Sequence, residues 1–149
     1  MGKPIVEFIT ADVVAAVAAV TTPNGYSTTL VVSEPDAEAD SPQDSTAEVV
    51  EAGETPEESP PMGFDGVYQD YDVVVFIQDG GTDSTFNQRR RAYSADVRRA
   101  VMADEERGGY ARWTRWTGSR PFQSDRGRGV VVSFQVYYRT VKDQPDRLN

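Results

Sequence analysis

The stretch "GVVVSFQVYYRTV", residues 129–141, decides the fold class because it is the clearest β-strand pattern in the chain. Its alternate apolar residues share one face of a pleated strand: Val130, Val132, Phe134, Val136 and Tyr138. Before it, "YARWTRWT", residues 110–117, alternates aromatic, basic and threonine residues, as strands do. The segment between them, residues 118–129, contains Gly, Pro, Ser and Asp and predicts a hairpin loop.

A second strong strand pattern lies in the middle of the chain, at "YQDYDVVVFIQD", residues 68–79. Its apolar residues fall on both sides: Tyr71, Val73, Val75 and Ile77 on one, and Val74 and Phe76 on the other. This distribution is typical of a central strand covered on both faces. Residues 27–33 predict a further strand, and the turn residues Pro23, Asn24 and Gly25 separate it from the helix that precedes it.

Two segments have helical periodicity. Residues 3–20 place apolar side chains at helical spacing: Val6, Ile9, Val13, Val17 and Val20. The second helix is predicted to begin at Thr85, whose spacing to Gln88 is that of a capping box, and to extend to about Ala103. Its buried stripe is predicted to be Phe86, Tyr93, Val97 and Val101.

The order of these elements indicates one α+β domain over residues 1–149. Helix, strand, acidic segment, strand, helix, strand and strand follow one another along the chain. Two helices can then pack on one mostly antiparallel or mixed sheet. No apolar run approaches the ~20 residues that a membrane span requires, so we expect no membrane association.

The composition argues against enzymatic function. The 149 residues include no Cys and no His, which excludes disulfides, thiolate or imidazole metal sites and histidine-based nucleophilic catalysis. Carboxylate pairs occur at Asp70 and Asp72 and at residues 104–106, but acid–base catalysis needs two groups in different environments. The acidic residues also lack the spacing of an EF-hand calcium loop. We therefore predict no catalytic residue, no cofactor and no metal.

The charge is divided between the two halves of the chain. Residues 1–80 hold 16 acidic side chains and one basic side chain, a net charge of −15, whereas residues 81–149 hold 8 acidic and 14 basic side chains, a net charge of +6. This asymmetry indicates either two faces that meet different partners, including head-to-tail copies of the chain, or a solvated acidic loop beside an ordinary surface.

Residues 34–62 are predicted to form an acidic, mobile loop or arm, because so little apolar surface cannot offset the entropy of ordering. Within it, "TAEVVEAG", residues 46–53, has the pattern of one short edge strand. The ten carboxylates of the segment are Glu34, Asp36, Glu38, Asp40, Asp44, Glu48, Glu51, Glu54, Glu57 and Glu58.

Basic and aromatic residues are interleaved in the second half, at "RRRAY" and "RWTRWTGSRPF". Cations for phosphates and rings for base stacking are what a single-strand-binding groove requires. However, Trp113 and Trp116 point to opposite faces of a regular strand and cannot form one stacking platform, so we predict that one of them is core. The candidate residues for contacts with a subunit or partner are Arg89, Arg90, Arg91, Arg98, Arg99, Arg112, Arg115 and Trp116.

Four segments taken in order resemble the tail terminator proteins of long-tailed bacteriophages. They are "VTTPNGYSTTL", "SPPMGFDG", "RRRAYSADVRRAVMADEERGG" and "GVVVSFQVYYRT", and the resemblance covers nearly the whole chain. It implies a hexameric ring that caps the tail tube, stops its polymerisation and provides a surface for head–tail joining.

The resemblance also implies the partners and the location of the protein. The partners are further copies of the chain, the tail tube protein and the head–tail connector or neck protein, and DNA passes through the ring without specific binding. The location is the tail or neck of the virion, after assembly in the host cytoplasm. Two alternatives stay open: a head–tail connector of the same virion, and an acidic binding or inhibitor module.

Overall fold

The computed structural model describes residues 2–33, 42–78 and 82–148. Two α-helices and six strands follow in the order α1 Ile5–Ala18, β1 Val31–Val32, β2 Thr46–Pro56, β3 Phe64–Phe76, α2 Asp83–Met102, β4 Trp113–Ser124, β5 Gly127–Val141 and β6 Gln144–Leu148. Short 3-10 turns occupy Thr22–Asn24 and Arg107–Gly109. The α+β class predicted from the sequence is confirmed.

The strands form one mixed six-stranded sheet in the order β1-β2-β3-β5-β4, and β6 pairs with the end of β5. Only β1 and β2 are parallel; the other pairs in the described residues are antiparallel. The two strand patterns that are clearest in the sequence, β3 and β5, pair over their length from Phe64↔Val141 to Phe76↔Gly129. The sheet is therefore built around these two strands.

Both helices pack on the same face of the sheet, which we call the covered face. Ile9 and Val13 of α1 pack against Tyr71 and Val136 at one end of the strands. The predicted stripe of α2, Phe86, Tyr93, Val97 and Val101, is buried against the other end, as predicted. The predicted inward residues of β5 are also buried: Val130, Val132, Phe134, Val136 and Tyr138.

The prediction that β3 is covered on both faces is confirmed only in part. Tyr71, Val73 and Val75 are fully buried under the helices. On the opposite side, Phe76 is also buried, but Val74 is only half-buried. Both helices lie on one side, and among the described residues no helix covers the other side, which we call the open face.

The predicted acidic arm is corrected in part. Its first residues, 34–41, lie outside the described residues. The strand predicted over residues 46–53 is confirmed and is longer: Thr46–Pro56 form β2, which pairs with β3 from Thr46↔Phe76 to Pro56↔Val67. A neighbouring strand can satisfy the backbone hydrogen bonds of a polar segment, so order here does not depend on the apolar surface of the segment itself. The strand expected over residues 27–33 shortens to Val31–Val32.

Two element boundaries also differ from prediction. Residues 118–124 continue β4 after a register shift between Trp116 and Gly118, and the hairpin turn lies at residues 125–126, not across residues 118–129. Helix α2 begins one turn early because Thr82, rather than Thr85, is the N-cap and accepts a hydrogen bond from the Thr85 N–H at 3.3 Å. The short strand β6 was not predicted.

Candidate functional site

Four of the five candidate arginines on α2 contact side chains or carbonyls of their own chain. Arg89 forms a 2.7 Å ion pair with Asp44 and Arg90 lies 3.4 Å from the Asn87 side-chain oxygen. The Arg99 guanidinium lies 4.2 Å from the centre of the Tyr26 ring and donates to the Gly25 carbonyl at 2.9 Å. The guanidinium of Arg98 lies 3.9 Å from the Trp116 ring centre, and Arg91 is exposed.

The remaining candidates lie on β4 or just before it, and the structure does not bring the full set into one surface. Arg115 is on the open face, where its guanidinium lies 4.9 Å from the Trp113 ring centre and donates to Gln135 at 2.7 Å. Trp116 is on the covered face beside α2 and is 37% exposed. Arg112 is exposed immediately before the strand.

The two tryptophans point to opposite faces, as the alternation predicts. Trp113 pairs in register with Tyr137 of the open face, and Trp116 pairs with Phe134 of the covered face. The expectation that one tryptophan is core is wrong, because Trp113 is half-buried and Trp116 is exposed. Strand β4 lies at the edge of the sheet, where neither face is fully enclosed.

Three aromatic rings meet on the open face, and we call them the aromatic cluster: Tyr68, Trp113 and Tyr137. Tyr137 lies 5.0 Å from Tyr68 and 5.4 Å from Trp113 between ring centres. A shallow cleft of about 320 Å³ adjoins the cluster and is lined by Thr55, Tyr68, Trp113, Arg115 and Gln135. The sequence did not reveal the cluster because its members come from three strands that meet only in the folded sheet.

The hydroxyl of Tyr137 links the aromatic cluster to charged groups. It donates to Glu57 and accepts a 2.6 Å hydrogen bond from Arg139. Burial and the hydrogen bond to Glu57 raise the pKa of Tyr137. The phenol therefore remains a neutral hydrogen-bonding group at physiological pH, and it fixes the orientation of Glu57 rather than acting as a base.

The carboxylates of β3 on the open face are each held by a side chain of β5. Gln135 donates to Asp70 at 3.1 Å, and Ser133 donates to Asp72 at 2.6 Å. Within residues 2–33, 42–78 and 82–148, no group of three or more His, Cys, Asp or Glu side chains is arranged to hold a metal ion. Asp70 and Asp72 therefore act as hydrogen-bond acceptors that link β3 to β5.

The acidic candidates are distributed along β2 and its flanks. Several contact other elements: Asp44 pairs with Arg89, Glu48 pairs with Arg126 at 2.6 Å, and Glu51 accepts a 2.6 Å hydrogen bond from Thr10. Glu54 and Glu58 are exposed. Glu34, Asp36, Glu38 and Asp40 lie outside the described residues.

Asp44 is expected to make folding stability depend on pH. Burial raises its pKa, but hydrogen bonds from Arg89 and from the Gln78 N–H outweigh burial, so the pKa is lowered from its ordinary value of 3.8. A lowered pKa in the folded state contributes stability that is present above the unfolded-state pKa and is lost as pH falls through the folded-state pKa.

The test is urea unfolding of the wild type and of Asp44→Asn from pH 7 down to about pH 2, a range that extends well below the ordinary pKa of 3.8 for this carboxyl. We expect the stability advantage of the wild type to shrink as the pH falls below about 4. The matched variant Arg89→Ala should show a weaker dependence, because it removes the principal cation. Parallel stability curves for the wild type and Asp44→Asn would contradict the assignment.

The two outer edges of the sheet carry opposite charge. Strand β1 pairs with β2 only as far as Ala47, and in the described part of the chain no strand lies beyond the rest of β2 or beyond β4. Every charged residue from 44 to 58 is acidic, whereas every charged residue from 107 to 124 is basic. We call these the acidic edge, on β2, and the basic edge, on β4.

A scan against protein-family models and a search of curated proteins both give no match to this chain. Among the described residues, no helix is both long and apolar enough to cross a membrane.

Proposed function

We propose that this protein is a structural virion protein that forms a hexameric ring and caps the tail tube of a bacteriophage. The observation that carries the proposal is the pair of unlike sheet edges. A contact between two different surfaces of identical subunits is heterologous, and it closes into a ring when the rotation between neighbours permits. Such a subunit needs a stiff sheet and complementary edges, but no catalytic group.

Capping by a ring explains how a tube of repeating subunits ends. Each tube subunit adds because the growing end always exposes the same surface. A ring that matches this surface on one side and presents a different surface on the other halts addition by occupying the end. The second surface is then free for the head–tail connector. The resemblance of the four sequence segments to tail terminator proteins supports this function.

The excess of acidic groups suits passage of DNA through the ring. A lumen lined by carboxylates repels phosphates, whereas clustered Lys or Arg would hold DNA by releasing its counterions. We therefore expect some acidic side chains to face the channel and the arginines to face neighbouring subunits or the exterior. DNA then passes without specific binding.

The proposal is tested by omitting the protein during phage assembly. We expect tubes of uncontrolled length without attached heads, since nothing occupies the growing end. Electron micrographs give the distribution of tail lengths, and supplying the wild-type chain in trans should restore a single length.

Normal tail length with failure of head joining alone would overturn the terminator function in favour of a connector. A wild-type chain that stays monomeric even with tube protein present would instead favour an acidic binding or inhibitor module. Sedimentation of the purified chain with and without the tube protein separates this outcome from the other two.

A further inference from the structure

The charged side chains of each outer strand share one sign. On β2, Glu51 and Glu54 are exposed and in register with Tyr71 and Gln69 of the covered face, whereas Glu48, on the open face, is paired with Arg126 at 2.6 Å. At the basic edge, Arg115 and Arg120 pair with Gln135 and Val131 of the open face. On the covered face, Arg98 lies over Trp116 of the same strand and is exposed.

The charges of the two edges determine which edges of two copies can pair. Exposed strand edges offer unpaired backbone groups, and like charges oppose pairing of an edge with a copy of itself. Two acidic edges or two basic edges brought together would place like charges side by side, which is strongly unfavourable. When an acidic edge meets a basic edge, opposite charges lie side by side and attract each other.

We infer that the acidic edge of one copy docks against the basic edge of the next, so that the sheet continues from subunit to subunit. The occupant of each edge is thus a second copy of this chain. The inference rests on the proposed ring and names the contact that closes it. Glu48–Pro56 of β2 extend beyond the pairing with β1, a length of about 30 Å at ~3.3 Å per residue, and the 12-residue β4 can match it.

Bulges and prolines in the two edge strands also limit the register in which they can pair. Strand β2 has a bulge between Glu51 and Gly53 and a proline at Pro56, and β4 has a bulge between Trp116 and Gly118 and a proline at Pro121. Bulges and prolines at edge strands prevent indefinite pairing with arbitrary partners. The charges then select the partner edge, and the irregularities restrict the alignment.

Two charge-reversed variants test the inference. The first, Glu51→Lys with Glu54→Lys, changes the net charge of the strand β2 from −3 to +1. The second, Arg115→Glu with Arg120→Glu, changes the net charge of the strand β4 from +2 to −2. We expect each variant alone to associate at least about tenfold more weakly than the wild type, because every edge contact now joins like charges. Sedimentation velocity at moderate salt measures the association.

Mixing the two variants provides the decisive measurement. In a mixture, each basic edge can meet an acidic edge of the other variant, so we expect assemblies of alternating chains to recover. Recovery also shows that both variants are folded. Lys142→Glu, in the exposed turn between β5 and β6, is the matched single reversal for Arg120→Glu and should leave association unchanged.

Three results would overturn the inference. The first is wild-type association by either variant alone. The second is no recovery on mixing of variants that retain the near-ultraviolet circular dichroism of the wild type, and the third is equal loss of association in Lys142→Glu and Arg120→Glu. If assembly persists in the reversed variants, the ring is maintained by other contacts and the tail-capping function stands. If the omission experiment gives tails of normal length while the edges behave as described, the capping function fails and the edge contact stands.

Discussion

Replacing Arg107 with alanine is expected to lower the free energy of unfolding by about 2–4 kcal/mol, because it leaves buried carbonyls without a donor and opens a cavity. Arg107 is fully buried. Its Nε donates to the Asp104 carbonyl at 2.7 Å, and Nη2 donates to the carbonyls of Val101 and Asp104. Its Nη1 lies 3.4 Å from a carboxylate oxygen of Asp12 on α1. One side chain therefore binds one carbonyl of the last turn of α2 and one just after the helix, and it joins this end of α2 to α1.

The cost is large because several polar groups lose their partner at once. Burial lowers the pKa of Arg107, and the nearby Asp12 and Asp104 oppose this effect. The alanine variant leaves the Val101 and Asp104 carbonyls without this donor and creates a cavity where the stem of Arg107 packed.

Urea unfolding followed by tryptophan fluorescence measures the loss. Arg112→Ala is the matched control, since Arg112 is exposed, and it should change stability by less than about 0.5 kcal/mol. Arg107→Lys should fall between the wild type and Arg107→Ala, because lysine keeps the charge but lacks the planar fork. A loss below about 1 kcal/mol in Arg107→Ala would show that the buried contacts are not important for stability.

The substitution Gly129→Ala is expected to lower the free energy of unfolding by about 3 kcal/mol, the upper part of the range for overpacked sites. Gly129 lies in register with Phe76 on one side and Phe122 on the other. A Cβ atom there would overlap the carbonyl oxygen of Val75 and lie 2.8 Å from the carbonyl carbon. Backbone atoms of the central strand cannot move away without breaking the register of β3 and β5.

Two phenylalanine rings close over this glycine. Phe76 and Phe122 meet edge to face with 5.4 Å between their centres, and Phe122 Cε1 would lie 3.1 Å from the added carbon. The rings cover the backbone on the open face, so a side chain at position 129 would displace the ring of Phe122 as well.

Gly2→Ala is the control because an added carbon at Gly2 would meet the end of a flexible side chain instead of backbone. The carbon would lie 3.3 Å from Oδ2 of Asp146 and 3.6 Å from its Cβ. We expect Gly2→Ala to cost less than about 0.5 kcal/mol. Thermal unfolding of the two variants in parallel gives the comparison, and equal losses would contradict a clash specific to the backbone at Gly129.

The alternation of apolar residues in strands and their helical spacing in helices predicted which elements form the core. The stripe of α2 and the inward face of β5 are buried as predicted, because each pattern records which side of its own element meets apolar atoms. The order of elements was sufficient for the α+β class. The local signals failed at boundaries, where Thr82 caps α2 and β4 continues past Gly118, since these depend on one hydrogen bond or one bulge.

The composition of residues 34–62 predicted a mobile arm, although the pattern of residues 46–53 correctly indicated a strand within it. A polar segment alone cannot offset the entropy of ordering, but pairing with β3 supplies backbone hydrogen bonds that its composition does not reveal. The burial of Arg107 escaped prediction for a similar reason. Arginine is usually exposed, and the burial of Arg107 depends on carbonyls at the end of α2 and on the approach of Asp12 from α1.

By itself, the sequence determined the class of the fold, the apolar faces of its main elements and the division of charge along the chain, since each is encoded by neighbouring residues. The tertiary structure alone decided that both helices cover one face, that Tyr68, Trp113 and Tyr137 meet on the other, and that opposite charges lie at opposite outer edges. The order of the strands in the sheet decides which side chains become neighbours and which strands lie at the edges. This order depends on contacts between residues that are far apart in the chain.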